Sequence, residues 1–173
     1  KKASDEGDEI EGMFTEGSIF VELAFNDRIA VGMDYHPAEI SSETTENITN
    51  IANGLEVDAQ ATNTVQVDFV DLTTIYAKLN LNENIYVKVG HTTVDVITNE
   101  NLGTGGSYGD TDLSGTEVAI GYNYNFDTAF VRLEGFSIEM DGATLTNAND
   151  STKSVSADGI DAIGARLSLG KSF

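Results

Sequence analysis

The sequence predicts an all-β fold, an antiparallel up-and-down barrel built as a single domain over residues 1–173. Three observations carry this. Apolar and polar residues alternate with period 2 along most of the chain, tight turns alternate with long connections, and the charges within strands gather on one face. Period-2 alternation is the mark of a strand whose two faces meet different surroundings. No segment keeps helical spacing, and a lone Pro37 with 17 glycines suits strands that must stay unbroken. The length is enough to close a small barrel.

Seven strands can be read in order. Ile19, Val21, Leu23 and Phe25 alternate with Phe20, Glu22 and Ala24, and Ile29, Val31, Met33 and Tyr35 with Arg28, Ala30, Gly32 and Asp34. After about Asp68, Ile75, Ala77, Leu79 and Leu81 oppose Thr74, Tyr76, Lys78 and Asn80. Ile85, Val87 and Val89 oppose Tyr86, Lys88 and Gly90, on a strand running on to Val96. Val118, Ile120, Tyr122, Tyr124 and Phe126 oppose Glu117, Ala119, Gly121, Asn123 and Asn125. Ala129, Val131 and Leu133 oppose Phe130, Arg132 and Glu134, and Ile163, Ala165, Leu167, Leu169 and Phe173 oppose Gly164, Arg166, Ser168 and Gly170.

The connections sharpen the class. Asn26-Asp27, Asn82-Glu83-Asn84 and Asp127-Thr128 are short polar hairpin turns. Between them lie long segments, 37–66, 98–114 and 141–158, rich in Asn, Thr, Ser, Gly and acids. One rim of the sheet therefore carries every tight turn and the other every long loop. Transmembrane barrels have that layout, with short periplasmic turns and long extracellular loops, whereas soluble up-and-down barrels such as lipocalins need not.

The charges point the same way. Of nine basic residues, Lys1, Lys2 and Lys153 fall in the expected outer loops. Arg28, Lys78, Lys88, Arg132 and Arg166 lie on the strand face opposite the apolar one, together with Glu22, Glu117 and Glu134. Lys171 is on the apolar face, two residues from the end, where its ammonium can snorkel. A charged interior and an apolar exterior invert a soluble barrel. These eight charged groups are the candidate lumen network, whose members are expected to pair, because isolated charges there are costly. An ordinary amphipathic sheet with its polar face in water would need a second layer, and no segment is left to supply one. Phe20, Tyr76, Tyr86 and Phe130 add bulk to the inward face and predict a plugged interior.

The remaining features exclude more than they assign. A net charge of −20 repels nucleic acid. No run of eighteen apolar residues exists, so a transmembrane helix is excluded. Cys is absent, which removes disulfide and thiolate chemistry. His36 and His91 are both expected near the outer rim, within reach of each other, but no triad surrounds them, so no catalytic residue is assigned and an enzyme is not expected. Asp110, Asp112 and Ser114 resemble the start of a calcium loop with Gly115 at its sixth position, yet Gly121 occupies the twelfth, where an EF-hand needs Glu. Cofactors and a dedicated metal site are therefore not expected, beyond weak divalent cations at acidic loops such as Glu39, Glu43, Glu46, Glu56 and Asp58. Gly103–Gly109 precedes no helix and makes no phosphate cradle. Two glycosylation sequons, at Asn47 and Asn149, assign no function by themselves.

The last ten residues, Gly164 to Phe173, alternate and finish on an aromatic carboxy-terminus. With Leu167, Leu169 and Phe173 on its apolar positions, this stretch resembles the terminal strand signature of bacterial outer-membrane barrels. Gly17–Glu22 and Ser114–Tyr122 likewise resemble strand openings of small outer-membrane barrel proteins. The chain is thus similar to the OmpA/OmpX/OmpW-like group and to porin-like barrels of marine bacteria. The resemblance implies a Gram-negative outer-membrane location with the long loops extracellular. It implies a structural or surface-interaction role that extends at most to weak porin-like conduction, with lipid and the barrel-insertion machinery as partners. A soluble lipocalin-like ligand-binding barrel is the alternative. Such barrels have an even strand number and a periplasmic N-terminus. Seven visible strands therefore predict eight in the complete protein, a missing first strand, and residues 1–16 as the remnant of an outer loop.

Overall fold

The computed structural model describes residues 17–51, 59–103, 106–149, 151–152, 154–157 and 159–172. Within them lie β1 (Ile19–Ala24), β2 (Ile29–His36), β3 (Ile40–Ser41), β4 (Thr45–Ile51), β5 (Ala59–Asn80) and β6 (Ile85–Leu102). They are followed by β7 (Thr111–Asn125), β8 (Ala129–Met140), β9 (Ala143–Thr146), β10 (Ser154–Ala157) and β11 (Ile160–Lys171). Seven strands, in the order β1-β2-β5-β6-β7-β8-β11, form one antiparallel sheet, with β3 and β4 pairing separately with the far part of β5. β9 and β10 form a hairpin of their own.

The sheet is curled into a half-barrel. Strands five places apart in a flat sheet stand about 24 Å from each other. Yet Arg132 on β8 reaches Glu22 on β1 at 3.2 Å, and the rings of Phe20 and Phe130 lie 6.0 Å apart. β1 and β11 end the sheet, and no backbone pairing joins them among the described residues.

The tight turns are set locally. The Asn26 side chain accepts the backbone N–H groups of Arg28 at 2.8 Å and Ile29 at 2.9 Å. Asn82 does the same for Asn84 at 2.9 Å and Ile85 at 2.8 Å. An asparagine carbonyl two or three residues ahead of a strand imitates a backbone turn, which is why these positions favour it.

The long connections correct the sequence reading. The segments 37–66, 98–114 and 141–158 are not plain loops: β4 and the first part of β5 make a hairpin, β6 continues to Leu102, β7 starts at Thr111, and β9 and β10 pair. Residues such as Thr62, Thr64, Val65, Ile97 and Thr98 favour strands through β-branching, a preference that survives when the apolar face changes sides. The change of sides hid them.

On β5 the change is made by an extra residue. The register with β6 slips between Val70 and Thr73, and Asp71 takes φ 56, in the left-handed region rare for non-glycine residues. Its carboxylate accepts the Tyr35 hydroxyl at 2.5 Å, tying the bulge to β2. Below the bulge the odd residues Ile75, Ala77 and Leu79 face outward; above it Val67 and Phe69 turn inward, against Val94 and Val96.

Candidate functional site: an ion-paired interior under an apolar exterior

The concave face near the tight turns holds the charges. Glu22 on β1 takes an ion pair from Lys78, a bidentate pair from Arg132 at 3.2 and 3.4 Å, and a hydrogen bond from the Tyr76 hydroxyl at 3.1 Å. Glu134 on β8 accepts from Lys88 at 2.7 Å, Arg166 at 2.8 Å and the Tyr86 hydroxyl at 2.7 Å. Glu117 on β7, 0 % exposed, pairs with Lys88 at 2.7 Å and Arg166 at 3.4 Å. Asp34 on β2 meets Arg166 at 3.1 Å.

These contacts follow from register. Lys78 and Lys88 are direct cross-strand partners on β5 and β6, where like charges repel. Each turns to its own acid, Lys78 to Glu22 and Lys88 to Glu117 and Glu134. Every base also lies over an aromatic face: Lys88 over Tyr76 at 4.7 Å, Lys78 over Tyr86 at 5.3 Å, Arg132 over Phe130 at 5.0 Å and Arg166 over Phe136 at 4.7 Å. Cation–π attraction strengthens when the pair is desolvated. The rings fit because glycine faces them: a Cβ on Gly121 would stand 2.1 Å from the Tyr86 ring, and one on Gly32 2.4 Å from that of Tyr76.

Four acids thus neutralise four bases, and the whole net charge of −20 lies outside the set. Removing water from charged groups costs several kcal/mol per ion, and only full pairing with good geometry offsets it. Multiple charge-assisted bonds to Glu22 and Glu134, and ion pairs from two bases to Glu117, meet that condition.

The convex face is the reverse. Ile19, Val21, Leu23, Ile29, Val31 and Met33 on β1 and β2 are exposed, as are Ile75 and Leu79 on β5, Val89 on β6, and Val118, Ile120, Tyr122 and Tyr124 on β7. Leu133 on β8 and Ile163, Leu167 and Leu169 on β11 continue the belt, with Ile163 89 % exposed. Register joins them into rows: Val31, Ala77, Val89 and Val118 stand side by side across four strands. From Val118 to Phe126 the belt runs eight residues along β7, about 27 Å at strand rise and about 20 Å after an ordinary barrel tilt. Soluble monomers rarely show a contiguous apolar patch beyond a few hundred Å².

On β6, β7, β8 and β11 the belt stops at a defined level, while on β1, β2 and β5 it runs on through Met33 and Ile75 to Ile19. In the next row toward the long connections, His91, Thr116, Glu139 and Asp161 stand side by side on β6, β7, β8 and β11. Beyond it Asp95 and Asp112 are direct partners. On the concave side of the same region Val94, Val96 and Leu113 are buried, with Val67, Phe69, Leu72, Met140 and Ala143 packed on them.

Seven of the eight sequence-predicted network residues come together: Glu22, Lys78, Lys88, Glu117, Arg132, Glu134 and Arg166. Arg28 does not. It sits exposed in the turn before β2, where its backbone is held by Asn26, and it makes no ion pair among the described residues. The parity that placed it inward belongs to the strand, which starts one residue later. Asp34 and Phe136 were missed, although each lies on the inward parity of its strand.

Leu167 and Leu169 project from the convex face, while Phe173 lies outside the described residues, as do residues 1–16, Glu56, Asp58 and Lys153. The two histidines do not approach each other. His36 is buried on the concave face, 3.7 Å from Asp34, and His91 is exposed on the convex one. The calcium-loop reading also fails on conformation, since Thr111 onward is strand and the Asp110 carboxylate accepts the Thr98 N–H at 2.9 Å. No group of three or more metal-ligating side chains occurs among the described residues. No helix is long and apolar enough to cross a membrane.

Comparison with known proteins found no match to a family model, a curated protein or a solved structure.

Proposed function

We propose that this chain is a transmembrane β-barrel protein of a bacterial outer membrane, with the tight turns periplasmic and the long connections extracellular. Its role is structural or in surface interaction rather than catalytic. One observation carries the reading: an exposed, multi-strand apolar belt encloses an interior of fully paired charges. In water that arrangement leaves the belt uncovered, whereas hydrocarbon covers it and the sheet ladder satisfies the backbone groups between β1 and β11, whose outer edges must be closed in the membrane. The belt height of about 20 Å is close to the roughly 25 Å apolar band of such barrels. Lipid and the barrel-insertion machinery are the proposed partners, the latter through the β11 positions Leu167 and Leu169 together with Phe173. Weak divalent-cation binding at the acidic outer segments belongs to the same proposal.

Flotation with lipid vesicles tests it. The refolded chain is expected to stay soluble only in detergent and to float with phosphatidylcholine vesicles after detergent removal. A monodisperse, detergent-free monomer that remains at the bottom of the gradient rejects the membrane reading and favours the soluble ligand-binding barrel.

A further inference from the structure

The two ends of the interior differ in kind. Toward the tight turns a polar cavity of about 630 Å³ opens, lined by Asn80, Asn123 and Asn125, with Glu22, Lys78 and Arg132 at its inner end. Further in, Thr74 and Thr92 share a hydroxyl hydrogen bond at 2.9 Å, both almost wholly enclosed. Past them the lining on β5, β6 and β7 is apolar: Val94 stands opposite Leu113, and Phe69 opposite Val96, with Leu72 and Met140 packed around them, while His36 on β2 is buried at the level of Leu72. The β9–β10 hairpin covers this layer, with Ala143 packed onto it. It is tied down beside the layer by Ala148, whose N–H donates to the Ser107 carbonyl at 2.7 Å, and by the buried Asn147 against Gly106.

From this order of layers we propose that the interior is a blind cup. Water and small ions enter from the tight-turn rim as far as the charge network, and the apolar layer stops them there. An ion crossing two rows of aliphatic side chains loses hydration that one buried imidazole, His36 beside Leu72, does not replace, the condition under which hydrophobic constrictions block conduction. Glu22, Lys78 and Arg132 therefore line the cup floor, with Lys88, Glu117 and Glu134 buried behind them, and the network is not a filter in a through-path. Weak porin-like conduction drops out of the functional reading.

The proposal rests on the membrane reading, in which the seam between β1 and β11, unpaired among the described residues, is closed, and the experiment separates the two. The full chain is reconstituted into phosphatidylcholine vesicles loaded with potassium chloride, flotation is scored first, and leak is then followed with a potassium-sensitive dye. The sequence has no cysteine, so the single-cysteine variants Asn125→Cys and Thr92→Cys report access to a membrane-impermeant maleimide without background. The expected results are a wild-type leak equal to that of protein-free vesicles, ready labelling of Asn125→Cys, and labelling of Thr92→Cys at least tenfold slower. The double variant Val94→Gly/Leu113→Gly is expected to raise leak at least tenfold.

Wild-type protein that floats and leaks overturns the cup, as does equal labelling of the two cysteines. A double variant that floats without leaking overturns the assignment of the seal to this layer. Should the double variant fail to insert, the wild-type leak and the cysteine pair still decide. Protein that does not float at all rejects the membrane reading instead.

Discussion

The half of the sheet near the tight turns and the half near the long connections are built from the same strands with opposite sidedness. Near the turns, β6 sends Ile85 and Val89 outward and Tyr86 and Lys88 inward; farther along the same strand, Val94 and Val96 point inward and His91 and Asp95 outward. β7 and β8 repeat the reversal, with Val118 out and Glu117 in giving way to Asp112 out and Leu113 in, and Leu133 out giving way to Glu139 out. The first half is arranged for an apolar exterior, the second for water. The level at which they meet on β6, β7, β8 and β11, the row of His91, Thr116, Glu139 and Asp161, is where the proposed bilayer ends. A soluble barrel would show the second pattern throughout, and its confinement to one half is what argues against the lipocalin-like alternative.

The comparison is broken most sharply at the charge network. Glu134→Ala removes the acceptor shared by Lys88, Arg166 and the Tyr86 hydroxyl and leaves one uncompensated positive charge in the interior, with Glu117 and Asp34 the acids still beside these bases; it is expected to destabilise the fold by about 3–5 kcal/mol. Urea unfolding in vesicles measures it; a loss below about 1 kcal/mol means that the interior is wet enough to solvate the stranded charge. Leu167→Arg, 71 % exposed on the belt, is next. It should cost about 2–4 kcal/mol of insertion free energy near the bilayer midplane. Unchanged folding into vesicles would place Leu167 outside lipid.

Val96→Ala acts on the other half. Losing two buried methyl groups is expected to cost about 1.5 kcal/mol. Faster amide exchange should be confined to residues around Phe69, Val94 and Leu113 while the charged half keeps its protection. Exchange that rises equally in both halves would mean that they unfold as one unit. The smallest effect is expected at Asp95→Lys on the outward surface of this half, where it replaces a like-charge partner of Asp112 with an opposite one. A gain of about 0.2–1 kcal/mol is expected in the same urea titration. A penalty as large as that of Leu167→Arg would put Asp95 in lipid and move the boundary.

Legibility in the sequence followed this same division. Near the turns, one parity is apolar and the other charged over four or more residues, so strands, turns and seven of the network residues could be read from spacing alone. Arg28 was misplaced because parity does not say where a strand begins. Asp34 was passed over because Ala30 and Gly32, its neighbours on that face, give no sign of a charged interior. In the far half the rule itself changes. Val94 and Val96 follow Val89 out of phase, and on β5 the apolar parity from Val65 to Leu81 is interrupted only by Asp71 and Thr73 at the bulge and then resumes on the same odd positions. A reader counting apolar positions sees one strand face where the fold has two.

The bulge at Asp71 has a bearing on dimension. Because one extra residue exchanges the faces of β5, its place along the strand sets how much of the largely apolar odd parity is offered to the outside. Moving it two residues would lengthen or shorten the outer belt on β5 by about 7 Å along the strand. Bilayers of different organelles and envelopes differ by only a few Å in thickness, and mismatch costs a fraction of a kcal/mol per Å. A single-residue insertion is thus a vernier: relocating it would refit the strand to a thicker or thinner membrane with no change in its hydrophobic composition.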